Sequence, residues 1–597
     1  MLSNLGDICL SIGIIFGILT IIYPFFYKRD FFYKIIFLSA NCAVIFSFFI
    51  LLYLFISNDF RVISVLMNTS SLMELKYRIA AAWSSHETSL LFWCFITSIL
   101  NMIFFLQTDL TEKITYSISM FIQTCFVSCI FLTANPFNAI TTKPSEGLGM
   151  NPSLQDVGIM IHPPMLYIAY GIFQIIYSMN IASLFTKNTH IVIANWSRMG
   201  LAILLAGIGL GSWWAYRELG WGGYWFFDPV ENISLIIFLF ALCYHHSLLQ
   251  KNLDLTKVIF GTLPFLSALI GTFCVRSGLL VSVHSFAETS SSAILLGFGT
   301  FMAISSSIMI FLHFYKNPLV AQYSPKIYMI QAGNIIWSLS GLILIISIVA
   351  PIIFSIFFGN IVDIKESFFI KTVIPLTLLS STLSGLIYFN RNVNKLIIIC
   401  LCNLVAFVVV FVIFKTSLLQ SFAYFSGSLI ISSSIIRYFE KVKSRSLNIS
   451  SISMLLAHAS VGILIVAICY NKQHGFAKII TLDLHKNTKI SEVLSASLVT
   501  IEYSNGPNYI NQTAIVRILE GENEQAIINP QLRFYPVEKT LSSEIDIYSS
   551  LFRDWYGVLN NITAEKASLR IFYHPAISII WFSLILCVFA IILRVRN

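Results

Sequence analysis

"WWAYRELGWGGYWFFDPVENISLIIFLFALCYHH", residues 213–246, sets four tryptophans and two phenylalanines ahead of an apolar run that ends on two histidines. The apolar half belongs to a run at about 231–249, the length that crosses the hydrocarbon of a bilayer as a helix. The aromatic half then lies at the mouth of that span. Runs of the same kind recur at about 7–26, 33–56, 89–106, 117–134, 163–185, 199–212 and 257–275, and again at 293–315, 335–357, 371–389, 395–415, 421–437, 453–470 and 573–593. With 57 % hydrophobic and 11 % charged residues over 597 positions, no soluble fold fits, and the sequence predicts an α-helical polytopic membrane protein with about fifteen transmembrane helices.

Fifteen crossings put the two termini on opposite sides. The net charge of +9 is explained without nucleic acid, because Lys and Arg concentrate in alternate short loops, among them Lys28, Arg29, Lys34, Lys113, Lys251, Lys316, Arg437, Lys441, Arg594 and Arg596. Those loops read as cytoplasmic, which places the N-terminus outside and the C-terminus in the cytoplasm. Outside then lie residues 57–88, 135–162, 213–230, 276–292 and a polar stretch at 471–572. In the last, "ASLVTIEYSNGPNYINQTAIVRILEG" switches to period two around an Asn-Gly turn, so a small extracytoplasmic β-rich domain is expected. The expected division is a helical core at 1–470 including the aromatic loop 213–230, the β domain at 471–572, and a last helix with its tail at 573–597. The eleven cysteines all fall in or beside apolar runs, and neither CxxC nor CxxCH occurs. A disulfide framework is therefore not expected, and the chain is not itself a c-type cytochrome.

Trp213, Trp214, Trp221, Trp225, Phe226 and Phe227 are packed together with Gly207, Gly209, Gly211, Gly220, Gly222 and Gly223. An interfacial aromatic belt is the plain explanation, but a belt scatters its rings over many helix ends. Rings concentrated among glycines make a stacking surface for a flat apolar ligand. His162, just before Pro163, and His284, in the next external loop, lie on the same side. Two imidazoles flanking an aromatic shelf suit a metal macrocycle held axially. Two further histidines are intramembrane and of matching depth, His246 about five residues before Lys251 and His458 within "MLLAHASVG". Bis-histidine ligation of a b-type haem accounts for both. His245 is the rival to His246; adjacent helical positions point about 100° apart, so one of them faces the partner. Asp228 and Glu231 read as the cap of the helix that follows. His86 and Glu87 are a structural pair or a proton contact, and His190, His313, His474, His485 and His574 are expected at interfaces or in solvent.

In that setting, "WGGYWFFDPVEN", "HPPMLYIAYG" and "SVHSFA" resemble the WWD-domain haem-handling proteins. "AAWSSHETSLLFW", "ANPF", "NPSLQD" and the late β domain narrow the resemblance to the CcmF family of membrane haem lyases, from about residue 77 to the last helix. The resemblance implies a bacterial inner-membrane haem lyase that takes haem from the covalent haem chaperone CcmE and joins it through thioethers to CxxCH cysteines of apocytochrome c. It implies CcmH, and CcmI where present, as partners, and quinol as an electron source. His162 and His284 match the axial ligands of the substrate haem, and Trp213, Trp214, Trp221, Trp225 and Phe227 match the WWD platform. His246 and His458 match the ligands of a transmembrane haem b that reduces the incoming one. Arg217 and Arg276, on the same external face, are candidates for the propionates. The sequence departs from the family pattern at Phe227, where Trp is usual, and at Glu146, where Asp is typical; no proposed ligand is lost. A haem exporter or another polytopic transporter is the alternative. A transporter predicts buried carboxylates or broken helices at mid-membrane, and the sequence has few of either.

Overall fold

The computed structural model describes residues 2–595 apart from 28, 109–111, 187–191, 250–254, 281, 283–290, 318–324, 360–361, 363, 390–392 and 414. The helices are α1 (Leu2–Phe26), α2 (Asp30–Ile56), the short α3 (Ile63–Asn68) and α4 (Leu75–Ala81), α5 (His86–Thr108) and α6 (Lys113–Thr133). Then follow α7 (Val157–Ser183), α8 (Ile193–Glu218), α9 (Pro229–Ser247), α10 (Leu255–Arg276), α11 (Ser291–Lys316) and α12 (Pro325–Phe358). The last are α13 (Glu366–Leu386), α14 (Val393–Ile413), α15 (Leu418–Lys443), α16 (Ile449–His474) and α17 (Ile577–Leu593). Each of the fifteen apolar runs has its long helix. Among the described residues, thirteen are long and apolar enough to cross a membrane, while α17 and the apolar stretch of α14 are shorter.

Two helix boundaries differ from expectation, each for a local reason. α7 starts at Val157 rather than at Pro163, because the Asp156 carboxylate caps it by accepting from the Gly158 N–H at 2.6 Å. Pro163 and Pro164 are thus inside the helix, where each removes a donor to the preceding turn. α8 runs on past residue 212 to Glu218, since Trp213 to Glu218 contain neither Gly nor Pro; it stops before Gly220, which takes φ +68°.

The interior of the first bundle is polar in one place. Asn101 donates to Gln123 Oε1 at 2.8 Å and accepts from Ser119 Oγ at 2.8 Å, and Gln123 donates to Ser98 Oγ. Asn41 lies beside Asn101, and Gln174 reaches Ser119 O. These side chains come from α2, α5, α6 and α7 and are all buried. Association inside lipid gains nothing from excluding water, so interhelical hydrogen bonds and close packing hold such helices together.

Between α16 and α17 lies a β-sandwich of two antiparallel sheets. One has the order β1 (Phe476–Asp483), β10 (Lys566–Pro575), β9 (Arg553–Ile562), β8 (Asp546–Ser549). The other has β2 (Asn487–Lys489), β3 (Leu494–Asn505), β4 (Ile510–Glu520), β6 (Gln531–Tyr535) and β7 (Thr540–Glu544), with β5 (Asn523–Ile528) also on β4. β3 and β4 are the hairpin around Asn505–Gly506, closed by Gly506 N–H donating to Tyr509 O at 2.8 Å. Inward residues Leu482, Leu498, Val516, Ile528, Leu569 and Ile571 form its core. Only Ala576, at φ +60°, separates β10 from α17, so the sandwich is bound tightly to the helices.

Removing Asn101 leaves the Gln123 and Ser119 groups short of partners in a dry interior. Asn101→Leu is expected to cost about 1–3 kcal/mol, read as a lowered unfolding midpoint of the detergent-solubilised protein. An unchanged midpoint contradicts a stabilising role for the network.

Candidate haem-handling sites

Trp213 and Trp214 stand on the last turns of α8, and the loop 219–228 carries the other rings to α9. α9 begins with a capping box: the Asp228 carboxylate accepts from Val230 N–H at 2.9 Å, and the Glu231 carboxylate accepts from Asp228 N–H at 3.1 Å. Glu231 also accepts from Phe226 N–H, so both carboxylates hold the loop in shape and neither points to acid–base chemistry. The aromatic residues divide into two groups. Trp214 is buried against Ile159 and donates its Nε1–H to Ser153 O at 3.1 Å. Phe227, at φ +57°, stacks flat on Phe369 of α13 with centroids 4.6 Å apart. Trp213, Trp221 and Trp225 keep exposed surface, Trp221 most of all. A surface for a flat ligand would be built from these three, with Phe226 set edge-on to Trp221 at 4.7 Å and Phe227 half-buried beside Trp225.

His162 lies one turn and a half into α7, pressed on α8. Its Nδ1 donates to Gly207 O at 2.7 Å. A Cβ on Gly211 would fall 2.6 Å from the imidazole Cε1, so the ring fits only because that position is glycine. Two residues further along α8 comes Trp213, with the Arg217 guanidinium 4.6 Å above its ring. Arg217 also pairs with the capping carboxylate of Asp156 at 3.1 Å. His162 thus faces Gly207 and Gly211, whereas Trp213, two residues past Gly211, points about 200° round α8, and Arg217 reaches from the following turn back to the Asp156 cap of α7. Arg276 is elsewhere: it is buried in the last turn of α10 and donates to Ser89 Oγ at 2.7 Å and Thr272 O at 3.3 Å. His284 lies outside the described residues, as does His190.

Behind the loop is a seam that the sequence did not announce. Gly222, at φ +71°, sits on the ring of Phe572 in β10 with no room for a side chain, and Gly220 lies over Val558 of β9. Tyr216, on α8, donates to Asp554 Oδ2 of β9 at 3.1 Å and packs on Tyr556 and His574. His574 was expected at an interface or in solvent; it is instead 8 % exposed, paired across the strands with Asp554. Burial pushes the Asp554 carboxyl up to about 6, against the opposing pull of hydrogen bonds from Ser549 and Tyr216. Burial likewise pushes His574 down to about 4, with help from the Lys472 charge. No local signal links Tyr216 to residues more than three hundred positions later.

At the other end of α9 stand His245 and His246. His245 Nδ1 lies 3.4 Å from Ser197 Oγ on α8, beside the charges of Arg198 and Arg594. Both His245 and His246 are near enough to His458 of α16 to interact with it electrostatically. His458 donates Nδ1–H to Met454 O at 2.8 Å, which leaves Nε2 as its lone-pair nitrogen. That second bond is what orients a ligating imidazole. α9 packs on α8, α10 and α12, whereas α16 packs on α15 and α17, so the two histidine helices are not a packed pair. Arg198 keeps a buried Nε without a partner close by. Part-buried imidazoles on two helices that are not packed on each other, with arginines near His245, would fit an axially ligated haem.

The chain is similar to known proteins along most of its length. Residues 83–281 match the family described as "Cytochrome C assembly protein", and residues 477–575 match the one described as "CcmF C-terminal beta-sandwich". The chain is 27 % identical to the cytochrome c-type biogenesis protein CcmF of Haemophilus influenzae, over 97 % of this chain and 96 % of that one. It is 26 % identical to CcmF of Escherichia coli over 97 % and 95 % of the two chains, and 27 % identical to NrfE of Haemophilus influenzae over 92 % and 90 %. A solved structure of "Cytochrome c Heme Lyase CcmF" superposes with a TM-score of 0.82, covering 99 % of this chain and 98 % of that one at 19 % identity. The fold and these matches define a multi-pass membrane protein of cytochrome c assembly. Within that class, the chain belongs to the CcmF family.

Two measurements test the seam. Gly222→Ala puts a methyl group into the Phe572 ring at a left-handed backbone position; it is expected to lower haem capture at the loop several-fold, followed by haem titration of the purified protein, while the helical core still folds. Asp554, raised above its unfolded value, contributes stability that is complete below about pH 4 and lost as pH rises through about 6. His574, lowered, works in the opposite sense, its contribution being lost as pH falls from about 6.5 through about 4. Asp554→Asn therefore gains stability relative to the parent as pH rises from 4 to 7, and parallel melting curves over that range contradict the buried carboxyl.

Proposed function

We propose that the chain is the haem lyase subunit of a cytochrome c maturation system, attaching haem to the cysteines of a CxxCH apocytochrome. The observation that carries this reading is the placement of His162: an imidazole fixed by Gly207 O and seated on Gly211, against the helix whose last turns bear Trp213 and Arg217. Substrate haem, handed over by CcmE, lies on Trp213, Trp221 and Trp225 with His162 and His284 as axial ligands. Arg217 pairs with a propionate, having only a partly exposed contact with Asp156 to give up; Arg276, held inward by Ser89, is the second candidate. Each thioether forms when a reduced cysteine adds across a haem vinyl group: the sulfur bonds to the α carbon, and the thiol proton is taken up at the β carbon. No electron is consumed in that addition, but iron and thiols must both be reduced beforehand. CcmH, with CcmI where present, serves the thiols. The protein's part is placement and orientation.

His246 and His458 would hold a resident haem b, whose chemistry is to pass an electron, drawn from quinol, to the incoming haem iron. His245 serves it indirectly by holding α9 on Ser197. The sidedness is consistent with the charge pattern. Asn135 donates to Asp7 near the start of α1 on the sandwich side, and Arg198 reaches Arg594 O at the opposite end. With the sandwich outside, the N-terminus is outside and the C-terminus cytoplasmic. We divide the chain into the helical core 1–470, the β domain 471–572 and the last helix with its tail.

The test is a reduced-minus-oxidised spectrum of the purified protein. The parent is expected to show a b-type α band that His246→Ala and His458→Ala each abolish. His162→Ala keeps the band but loses most of the cytochrome c yield. A colourless parent from haem-replete cells, or variants that keep the band, overturns the internal site; an undiminished yield in His162→Ala overturns the external one.

A further inference from the structure

A groove of about 460 Å³ runs between the segment 148–153 and the strand β7 of the sandwich, lined on the strand side by Thr540, Leu541 and Ser542 and closed at one end by Glu538. β7 is the last strand of its sheet, hydrogen-bonded to β6 on one side only. Across the groove, Leu148 and Gly149 turn their N–H groups to Leu66 O and Thr69 O, away from β7. The strand therefore presents an unpaired row of backbone donors and acceptors to an open channel. Sheets normally blunt such an edge. Here the segment 148–153 runs alongside the edge but, among the described residues, makes no backbone hydrogen bond to it, and Leu541 is 66 % exposed opposite Phe534, itself exposed, on β6.

The groove is joined to the haem platform. Its far wall continues into Asn151–Asp156, and there Ser153 O accepts from Trp214 Nε1 and Asp156 pairs with Arg217. Asn508 of the sandwich ties the same segment through Gln155 Oε1 at 2.9 Å. A chain laid along β7 thus ends beside the helix turn that carries Trp213. Glu538 lies in the groove, with its carboxyl pushed up by burial, and Glu544 stands at the end of β7. The side chains favour an apolar residue over Leu541 and a basic one near Glu538.

We propose that this groove is the docking site for the substrate polypeptide, which adds to β7 as an extended strand and so delivers its cysteines to the platform. The proposal rests on the lyase reading and deepens it: backbone pairing gives a hold that does not depend on the sequence of each apocytochrome, and the Leu541 and Glu538 positions add a modest preference. One lyase must accept many chains that share little beyond two cysteines and a histidine. Strand addition is a mode of recognition that meets this need.

The experiment measures binding of a fluorescent apocytochrome peptide, its two cysteines replaced by serine, to the full-length protein in detergent, with haem capture followed in the same preparations. Leu541→Arg is expected to weaken the peptide at least tenfold and to leave haem capture unchanged. Val493→Arg, at an exposed position by the opposite edge strand of the same sheet, is expected to leave both unchanged. A peptide N-methylated at alternate residues is expected to lose affinity for the parent in one of its two methylation phases, the signature of strand pairing. Equal binding by parent and Leu541→Arg, or no effect of N-methylation in either phase, overturns the groove and leaves the lyase reading standing. A parent that captures haem but binds no peptide also overturns the groove; one that does neither removes the lyase reading as well.

Discussion

The approach of α7 to α8 is the constraint from which the rest of the arrangement follows. Gly200, Gly207 and Gly211 lie along one side of α8 and meet Ile172, Leu166 and His162 at distances that no Cβ would tolerate. Inside a bilayer, small residues of this kind are what let two helices come close, since burial of apolar surface offers no drive between them. The close approach fixes the height of α8 against α7, and hence the height of Trp213 against His162. It also sets where Tyr216 emerges to meet β9. Had any of the three been larger, α7 and His162 could not lie against α8 as they do.

The second anchor is the seam between helices and sandwich. Asp554 and His574 are cross-strand neighbours, both buried and both displaced from their usual ionisation, in opposite directions. Burying ionisable groups without full pairing costs stability. The cost is accepted where the loop 219–228 has to rest on something rigid, and the rings of Phe572 and Tyr556 supply that bed. Trp221 and Trp225 stand on that loop, and the strands beneath Gly220 and Gly222 give it a backing that loop residues alone would not.

How much of this was readable in the sequence differs from feature to feature. The spans were legible because twenty apolar residues are a requirement of the bilayer, and the hairpin around Asn505–Gly506 because period two and its turn residues are local. The ends of α7 and α8 were not: Pro163 looks like a helix start until the Asp156 cap is weighed against it, and tryptophans look like an interfacial loop even where nothing stops a helix. Trp214 and Phe227 could not be told from Trp213 and Trp225, because which ring faces the protein depends on Ser153 and Phe369, residues 61 and 142 positions away. The burial of His574 was hidden for the same reason. It depends on Tyr216, and contacts of that span leave no pattern in a single chain.

On the reading proposed, the aromatic loop and the resident haem stand at opposite ends of one helix. α9 begins under the platform, at the capping box of Asp228 and Glu231, and reaches His246 near its end, about 27 Å from the cap at 1.5 Å per residue. That separation divides the chemistry by solvent. Thiol addition needs an aqueous face where a polypeptide can enter and leave, whereas an electron on a haem that His246 and His458 would hold would be protected by hydrocarbon from oxidants in the water. Stiffness matters as much as length: α9 is capped at its start and packed on three neighbours, so a shift at one end is transmitted to the other. On the reading proposed, the helix that frames the haem-attachment loop is also the one that sets the position of the reducing site, and neither can move without the other.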